Sequence, residues 1–110
     1  MTKKIFQGAD LTVGDVLAPI TITTDLNISG YALTELEFIF IKPSGGTLIK
    51  NPSEITGTYS CKYNTVSDDL DEDGDWEVYL KDLRIGREFQ KGNNSFKVRP
   101  KAQDMALYNG

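Results

Sequence analysis

The feature that most constrains the fold is an acidic turn, residues 68–73, that runs directly into a segment of alternating side chains. There Trp76, Val78 and Leu80 fall on one face of an extended backbone, because successive side chains of a strand point to opposite faces. Charged residues occupy the other face, at Asp75, Glu77 and Lys81. A period of two, apolar on one side and charged on the other, predicts a β-strand that buries one face and exposes the other to water.

The same period of two recurs along the chain in short segments separated by turn residues. We predict strands at residues 20–23, 35–42, 47–50, 57–63, 75–81, 88–90 and 96–99. Helical periodicity is nearly absent. Several short strands with turns between them predict an all-β fold, an immunoglobulin-like sandwich of two sheets with about seven to eight antiparallel strands. A small β-barrel is the alternative architecture.

The inner faces of these strands supply a predicted core of aromatic and branched apolar side chains. Its members are Ile20, Ile22, Leu36, Phe38, Phe40, Tyr59, Cys61, Tyr63, Trp76, Val78, Leu80, Phe96 and Val98. Leu70 is expected to plug the corner at the acidic turn. Because Cys61 is the single cysteine, no internal disulfide can form, and packing must hold the sandwich together. We place one domain over residues 1–100 and a C-terminal arm over residues 101–110.

Charge and histidine content argue against several classes of function. The 110 residues include 12 lysines and arginines against 16 aspartates and glutamates, so the net charge of −4 gives no positive field for nucleic acids or anionic membranes. Without histidine, the commonest general base and the usual partner of a serine or cysteine nucleophile are missing. The carboxylates also cluster in one turn instead of facing each other across a cleft. We therefore predict that the protein is not an enzyme, and we expect no cofactor, small-molecule substrate, nucleic acid or membrane partner.

The sequence shows no export or membrane segment. No run of about 18 apolar residues could span a bilayer. The basic pair Lys3 and Lys4 is followed by no apolar stretch of signal-peptide length. We expect a protein that is made in the cytoplasm without a signal peptide.

The acidic turn partly matches a calcium-binding loop. Asp69, Asp71, Asp73 and Gly74 have the spacing of the first half of an EF-hand loop. The second half is missing, because Leu80 stands where a bidentate glutamate is required. We expect a solvated turn with no metal site, and the alternative is a weak calcium site formed by Asp69, Asp71, Asp73 and Asp75.

Two features suggest contacts with other proteins. Ile39 and Ile41 lie on the outer face of the predicted strand 35–42, where water would be expected. Either the N-terminal segment covers them, through Ile5 and Phe6 or Leu11 and Val13, or they belong to a subunit interface. The arm likewise is either a frayed terminus or a docking segment whose contacts are Met105, Leu107 and Tyr108.

Several short motifs occur in a characteristic order between residues 14 and 100. They are Gly14-Asp15, the segment 26–32, an aromatic-rich strand that ends in residues 41–46, the segment 57–59, Leu70 followed by residues 74–78, and the last strand with Pro100. Their order and spacing resemble the short immunoglobulin-like proteins of bacteriophage particles, including the N-terminal domain of baseplate upper proteins. One part departs from that family, because the hairpin after its first inner strand is shortened here to Thr24-Asp25.

The resemblance implies a non-catalytic structural protein of a bacteriophage particle, present in many copies in the tail, neck or baseplate or as a capsid decoration. Its expected location is the virion, and its expected partners are other virion proteins or copies of itself. Such proteins associate through apolar patches and strand edges repeated by symmetry. The alternative function is a carbohydrate- or surface-binding adhesion module with weak calcium dependence.

Overall fold

The computed structural model describes residues 11–92 and 94–100, and nearly all of its regular structure is strand. Nine strands lie in this part of the chain: β1 (Leu11–Thr12), β2 (Pro19–Thr23), β3 (Leu36–Ile41), β4 (Thr47–Lys50), β5 (Glu54–Ile55), β6 (Ser60–Asn64), β7 (Gly74–Asp82), β8 (Arg87–Phe89) and β9 (Ser95–Arg99). A single 3-10 turn, Leu33–Glu35, precedes β3. The described residues contain no helix that is long and apolar enough to cross a membrane.

The strands form two sheets that pack together. The larger sheet has the order β1-β9-β7-β3-β4, and β8 also pairs with β7, while the smaller sheet has the order β2-β6-β5. β9 pairs with residues 74–77 of β7 and β8 with residues 80–82. Because β3 occupies the other side of β7, β8 and β9 lie on the same side of it. All pairs are antiparallel except β1 with β9. The predicted all-β sandwich of two sheets is confirmed.

The strand count exceeds the prediction because two strands have only two residues each. β1 and β5 are too short to show an alternating pattern. β6 also begins later than predicted, at Ser60, because residues 57–59 form a turn whose Tyr59 carbonyl accepts the Thr24 amide over 2.6 Å. Tyr59 is therefore half exposed, and the prediction that it belongs to the core is wrong.

The core lies between the two sheets and is centred on aromatic side chains. Phe40 contacts both sides of the core, with ring centroids 5.9 Å from Tyr63, 6.4 Å from Trp76 and 6.3 Å from Phe96. Edge-to-face aromatic contacts of this kind add stability beyond the area that they bury. Apart from Tyr59, every predicted core residue is buried, Cys61 included, and so is the plug residue Leu70.

The sandwich has two distinct ends, because β7 begins at Gly74 beside Val98 of β9 and ends at Asp82 beside Leu36 of β3. The end at Gly74 is called the acidic end, and its loops are residues 13–18, 42–46 and 65–73. The other end is called the hairpin end, and its loops are residues 24–35, 56–59 and 83–86. The functional groups discussed below lie on these loops.

Candidate functional site

At the acidic end, one carboxylate of the acidic turn is buried and acts as a structural anchor. The Tyr63 hydroxyl donates a hydrogen bond of 2.5 Å to Asp69 and the Val66 amide donates one of 2.8 Å, both to Oδ2. The Lys50 ammonium lies 3.5 Å from the other oxygen, Oδ1. Burial, together with the hydrogen bond to Asp69, raises the pKa of the Tyr63 hydroxyl well above its ordinary value. Asp69 therefore fastens the acidic turn to β6 and β4.

The next residues of the turn bind the β3–β4 hairpin. Asp71 lies 2.9 Å from the Lys42 ammonium, and the Glu72 carboxylate accepts hydrogen bonds from the Ser44 amide and hydroxyl. Gly74 completes this contact: its φ is +127°, and a Cβ there would lie 2.9 Å from Cγ of Pro43. Only glycine allows the hairpin to approach β7 so closely.

The four carboxylates of the alternative calcium site do not converge on one point. Asp69 and Asp71 bind different lysines, while Asp73 and Asp75 are exposed. Within residues 11–92 and 94–100, no group of three or more acidic or cysteine side chains could hold a metal ion. In this structure the acidic turn connects the β3–β4 hairpin to β6 through its carboxylates.

The acidic end also exposes a cluster of large apolar side chains, here called the acidic-end patch: Val16, Leu17 and Val66. Their exposed fractions are 54%, 72% and 49%. The loop is held in place because the Leu17 amide donates to the Thr65 carbonyl over 2.7 Å and the Thr65 hydroxyl donates to the Asp15 carbonyl over 2.9 Å. Leu17 has a φ of +58°, a conformation that costs a non-glycine residue energy and persists only where its surroundings hold it.

At the hairpin end, a second buried carboxylate organises the β7–β8 hairpin. Asp82 is fully buried. It accepts hydrogen bonds from the Tyr31 hydroxyl at 2.6 Å, the Arg84 amide at 2.8 Å and the Ile85 amide at 3.3 Å. The hydrogen bond to Asp82 is the main reason why the pKa of Tyr31 is raised above its ordinary value. The hairpin is thus folded around Asp82.

The 3-10 turn packs beside this hairpin and fixes its position. The Leu83 amide donates to the Glu35 carbonyl over 2.9 Å. The Arg84 guanidinium lies 4.5 Å from the centre of the Tyr31 ring, and its Nε is 3.6 Å from the Glu35 carboxylate. Because both backbone and side chains connect the two segments, the hairpin tip is a firm structure.

Three large apolar side chains are exposed on the hairpin tip and the adjoining 3-10 turn and are here called the hairpin-end patch: Leu33 on the 3-10 turn, and Leu83 and Ile85 on the tip. Their exposed fractions are 38%, 44% and 58%. The sequence interpretation missed them because it sought apolar residues on strands, whereas these lie in turns. The signal that could have revealed them is the presence of Leu83 and Ile85 in a hairpin turn, where small or polar residues are usual.

A shallow groove of about 180 Å³ opens beside the hairpin end, between β8 and the end of β2. It is lined by Thr24, Asp25, Arg87, Glu88, Phe89 and Gln90. The charges of Arg87 and Asp25 are paired across it at 2.9 Å, and the Arg87 guanidinium lies over the Phe89 ring. The side-chain Nε2 of Gln90 donates to the Thr23 carbonyl over 3.1 Å. The groove therefore joins the edges of the two sheets.

The predicted partner-binding residues on β3 offer less surface than expected. Ile39 is only 7% exposed and Ile41 is half buried, whereas their neighbour Ile49 on β4 is 52% exposed. Leu11 cannot cover this outer face, because it pairs with Val98 at the far edge of the sheet and belongs to the core. That part of the covering hypothesis is wrong.

Val13 of the same hypothesis also packs against the core. The remaining candidates, Ile5 and Phe6, lie outside the described residues. So do Met105, Leu107 and Tyr108 of the arm.

The described molecule thus presents two firm ends, each with a buried aspartate and an exposed apolar patch. Comparisons with protein-family models, with curated proteins and with solved structures gave no match.

Proposed function

We propose that this chain is a non-catalytic structural protein of a bacteriophage particle, a component of the tail, neck or baseplate or a decoration of the capsid, and that it works by packing against other proteins. The observation that carries this proposal is the hairpin-end patch. Two of its apolar side chains lie on the hairpin tip and the third, that of Leu33, lies on the adjoining 3-10 turn, and hydrogen bonds connect the two segments.

Exposed apolar side chains favour association, because burying them removes their surface from water. The free energy of association is most favourable when the surface is already ordered, since little conformational freedom is then lost on binding. Asp82 provides that order by accepting hydrogen bonds from the consecutive backbone amides of Arg84 and Ile85 within the turn. The patch therefore has the properties of a preformed contact surface.

The proposed partners are other virion proteins or copies of the same chain, and the proposed location is the virion. The arm residues Met105, Leu107 and Tyr108 form a second proposed contact, which reaches a neighbouring subunit. Residue 100, which precedes the arm, follows β9 at the acidic end. An arm that leaves from there can reach a neighbour without crossing the hairpin-end patch.

The alternative of a carbohydrate-binding module has less support among the described residues. A sugar-binding aromatic needs a free ring face, but Tyr31 packs against the core and the Arg84 guanidinium lies over its ring. Tyr79 is only 9% exposed, and the Lys91 ammonium lies 5.2 Å from its ring centre.

The proposal is tested by quantitative mass spectrometry of purified particles of a phage that encodes this sequence. We expect the chain at a fixed ratio to the major head and tail proteins. The paired substitution Leu83→Glu and Ile85→Glu should strongly reduce that ratio, because charged side chains cannot be buried in an apolar contact.

Ile49→Glu is the matched control, since Ile49 is similarly exposed but lies on β4. It should leave the ratio unchanged. Absence of the chain from the particles would contradict the proposed function. Loss of the chain through Ile49→Glu alone would instead place the contact on the outer face of β3 and β4.

A further inference from the structure

We propose that the groove beside the hairpin end is the docking site of this chain's own Ile5, in the segment that precedes β1. The docking is intramolecular and independent of the proposed function. Residues 1–10 lie outside the described residues, so the place of Ile5 is inferred from the strand that follows this segment and from the groove itself.

Along one side of the sandwich the edges of the two sheets face each other, and a described strand closes only half of this side. At the acidic end, β1 covers the edge of β9, and its Leu11 belongs to the core. At the hairpin end, β8 pairs with β7 alone among the described strands, and the groove lies between β8 and the end of β2. The groove is therefore the half of the side that β1 does not reach.

The direction of β1 leads the residues before it toward this groove. β1 runs parallel to β9 with Leu11 beside Val98, so a chain that extends β1 backward passes along β9 toward the hairpin end. Phe89 of β8 lies six residues further along β7 than Val98 does, a distance of about 20 Å. Six extended residues before Leu11 cover the same distance. They bring Ile5 level with Phe89.

The alternation of side chains then turns Ile5 into the groove. Successive side chains of an extended chain point to opposite faces, and an even number of residues separates Ile5 from Leu11. Because Leu11 points into the core, Ile5 in such a segment faces the same side. That is also the side of the Phe89 ring, which belongs to the core. Phe6 faces the opposite side.

The size and lining of the groove suit one apolar side chain. At about 180 Å³ it is smaller than the roughly 300–1,000 Å³ of sites that hold small molecules. Its charged groups already have partners, since Arg87 lies 2.9 Å from Asp25. Glu88 likewise lies 3.3 Å from Lys91. The methylene stems of these side chains and the Phe89 ring remain for contact, and an apolar side chain needs no polar partner there.

Docking would also protect a sheet edge. The edge of β8 that faces away from β7 can pair with a strand of another chain unless something covers it. Across the groove, the edge of β2 has its own protection, because Pro19 has no amide hydrogen and the Gln90 side chain binds the Thr23 carbonyl. The segment before β1 would supply the matching cover for β8.

The direct test is NMR spectroscopy of the full chain labelled with ¹³C. Nuclear Overhauser effects should connect the methyl groups of Ile5 with the ring of Phe89. Effects that connect Ile5 with Ile39 or Ile49 instead would place the segment on the outer face of β3 and β4, and the inference would be wrong. Absence of any effect between Ile5 and the groove would also overturn it.

A mixture of labelled and unlabelled chains distinguishes contacts within one copy from contacts between copies. In a filtered experiment that detects only contacts between copies, the effect between Ile5 and Phe89 should vanish. Its persistence would show that the groove binds the segment of another copy, which contradicts intramolecular docking. Incorporation into particles is measured separately, so the proposed function can survive any of these results.

Substitution of Ile5 gives a second, energetic test. Ile5→Asp should lower the melting temperature by roughly 5–10 °C, because a charge replaces a buried apolar side chain. It should also shift the amide resonances of Glu88 and Gln90 and leave that of Ile49 in place. Ile5→Leu should melt within about 2 °C of the wild type.

Thr2→Asp is the matched control, since it introduces the same charge into the same segment three residues before Ile5. It should change the melting temperature by less than about 2 °C and leave the resonances of Glu88 and Gln90 in place. If Ile5→Asp and Thr2→Asp have equal effects, Ile5 does not occupy the groove.

Discussion

The two ends of the sandwich use the same device for different purposes. At each end a buried aspartate accepts a hydrogen bond from a tyrosine hydroxyl, Tyr63 for Asp69 and Tyr31 for Asp82. At the acidic end the aspartate also faces Lys50 and ties a charged turn to the core. At the hairpin end its other hydrogen bonds come from backbone amides, and the turn that it shapes exposes apolar side chains.

The comparison shows that a buried carboxylate need not mark a catalytic or metal site. In both places its hydrogen-bond capacity is met by neighbouring protein groups, as a buried charge requires. The result is a firm loop at each end. The acidic end exposes carboxylates beside its apolar patch, and the hairpin end exposes arginines beside its own patch. These exposed groups then decide what each end can bind.

The largest expected effect is at the acidic end. Asp69→Ala should lower the free energy of unfolding by about 3 kcal/mol, because it leaves the buried Tyr63 hydroxyl without an acceptor and Lys50 without its partner. Urea denaturation measures the change. Asp73→Ala is the control, since this carboxylate is exposed. Equal stability of the two variants would show that Asp69 does not anchor the turn.

The hairpin end should respond less strongly but more locally. Asp82→Ala should cost about 2 kcal/mol, because Tyr31 is only partly buried and its hydroxyl can bind water when the acceptor is lost. Hydrogen exchange should accelerate at the amides of Arg84 and Ile85, while the Val66 amide at the acidic end keeps its protection. Uniform acceleration at both ends would mean that the two loops are not independent.

Alkaline pH should separate the two tyrosines. Because the folded chain raises the pKa of Tyr63 above its ordinary value of 10.0, the unfolded chain loses this proton first, and stability falls as the pH rises above about 10. Burial of the Cys61 thiol, which raises its pKa to about 12, adds a decline that all variants share.

Measured as unfolding free energy against pH, Tyr63→Phe should have a shallower decline than the wild type. Tyr31→Phe should change the slope less, because water replaces its contact more easily. Tyr59→Phe is the control, since its side chain is half exposed. A Tyr63→Phe slope equal to that of the wild type would contradict the assignment.

The smallest effect is expected from the exposed carboxylates. The paired substitution Asp71→Asn and Asp73→Asn should change stability by no more than about 0.5 kcal/mol, because Asp71 makes only a surface ion pair with Lys42. Millimolar calcium should leave the melting temperature of the wild type unchanged. A calcium-dependent rise that this variant abolishes would revive the calcium-site alternative.

The sequence revealed most where a strand was long enough to alternate. β7 buries Trp76, Val78 and Leu80 as predicted, and β3 and β9 follow the same pattern. β1 escaped notice because two residues carry no period. The exposed leucines and isoleucine of the hairpin-end patch escaped because a turn has no inner and outer face from which exposure can be deduced.

The candidate sites were harder to foresee than the strands. In the sequence Asp69 belongs to a turn that we expect to be solvated, with a weak calcium site as the alternative. In the structure it is buried, and its partners Tyr63 and Lys50 come from two different strands. Asp82 has no local signal at all, because Tyr31 lies 51 residues away from it. Contacts of such separation depend on how the sheets pack, which local periodicity does not encode.

The sequence alone determined that this chain forms two layers of strands around an apolar core, because alternation decides which side chains leave water. Only the tertiary structure decided which carboxylates are buried and which apolar side chains remain exposed. Those properties depend on neighbours that the fold brings together from distant segments, and the energy of a charge or an apolar group depends on its surroundings.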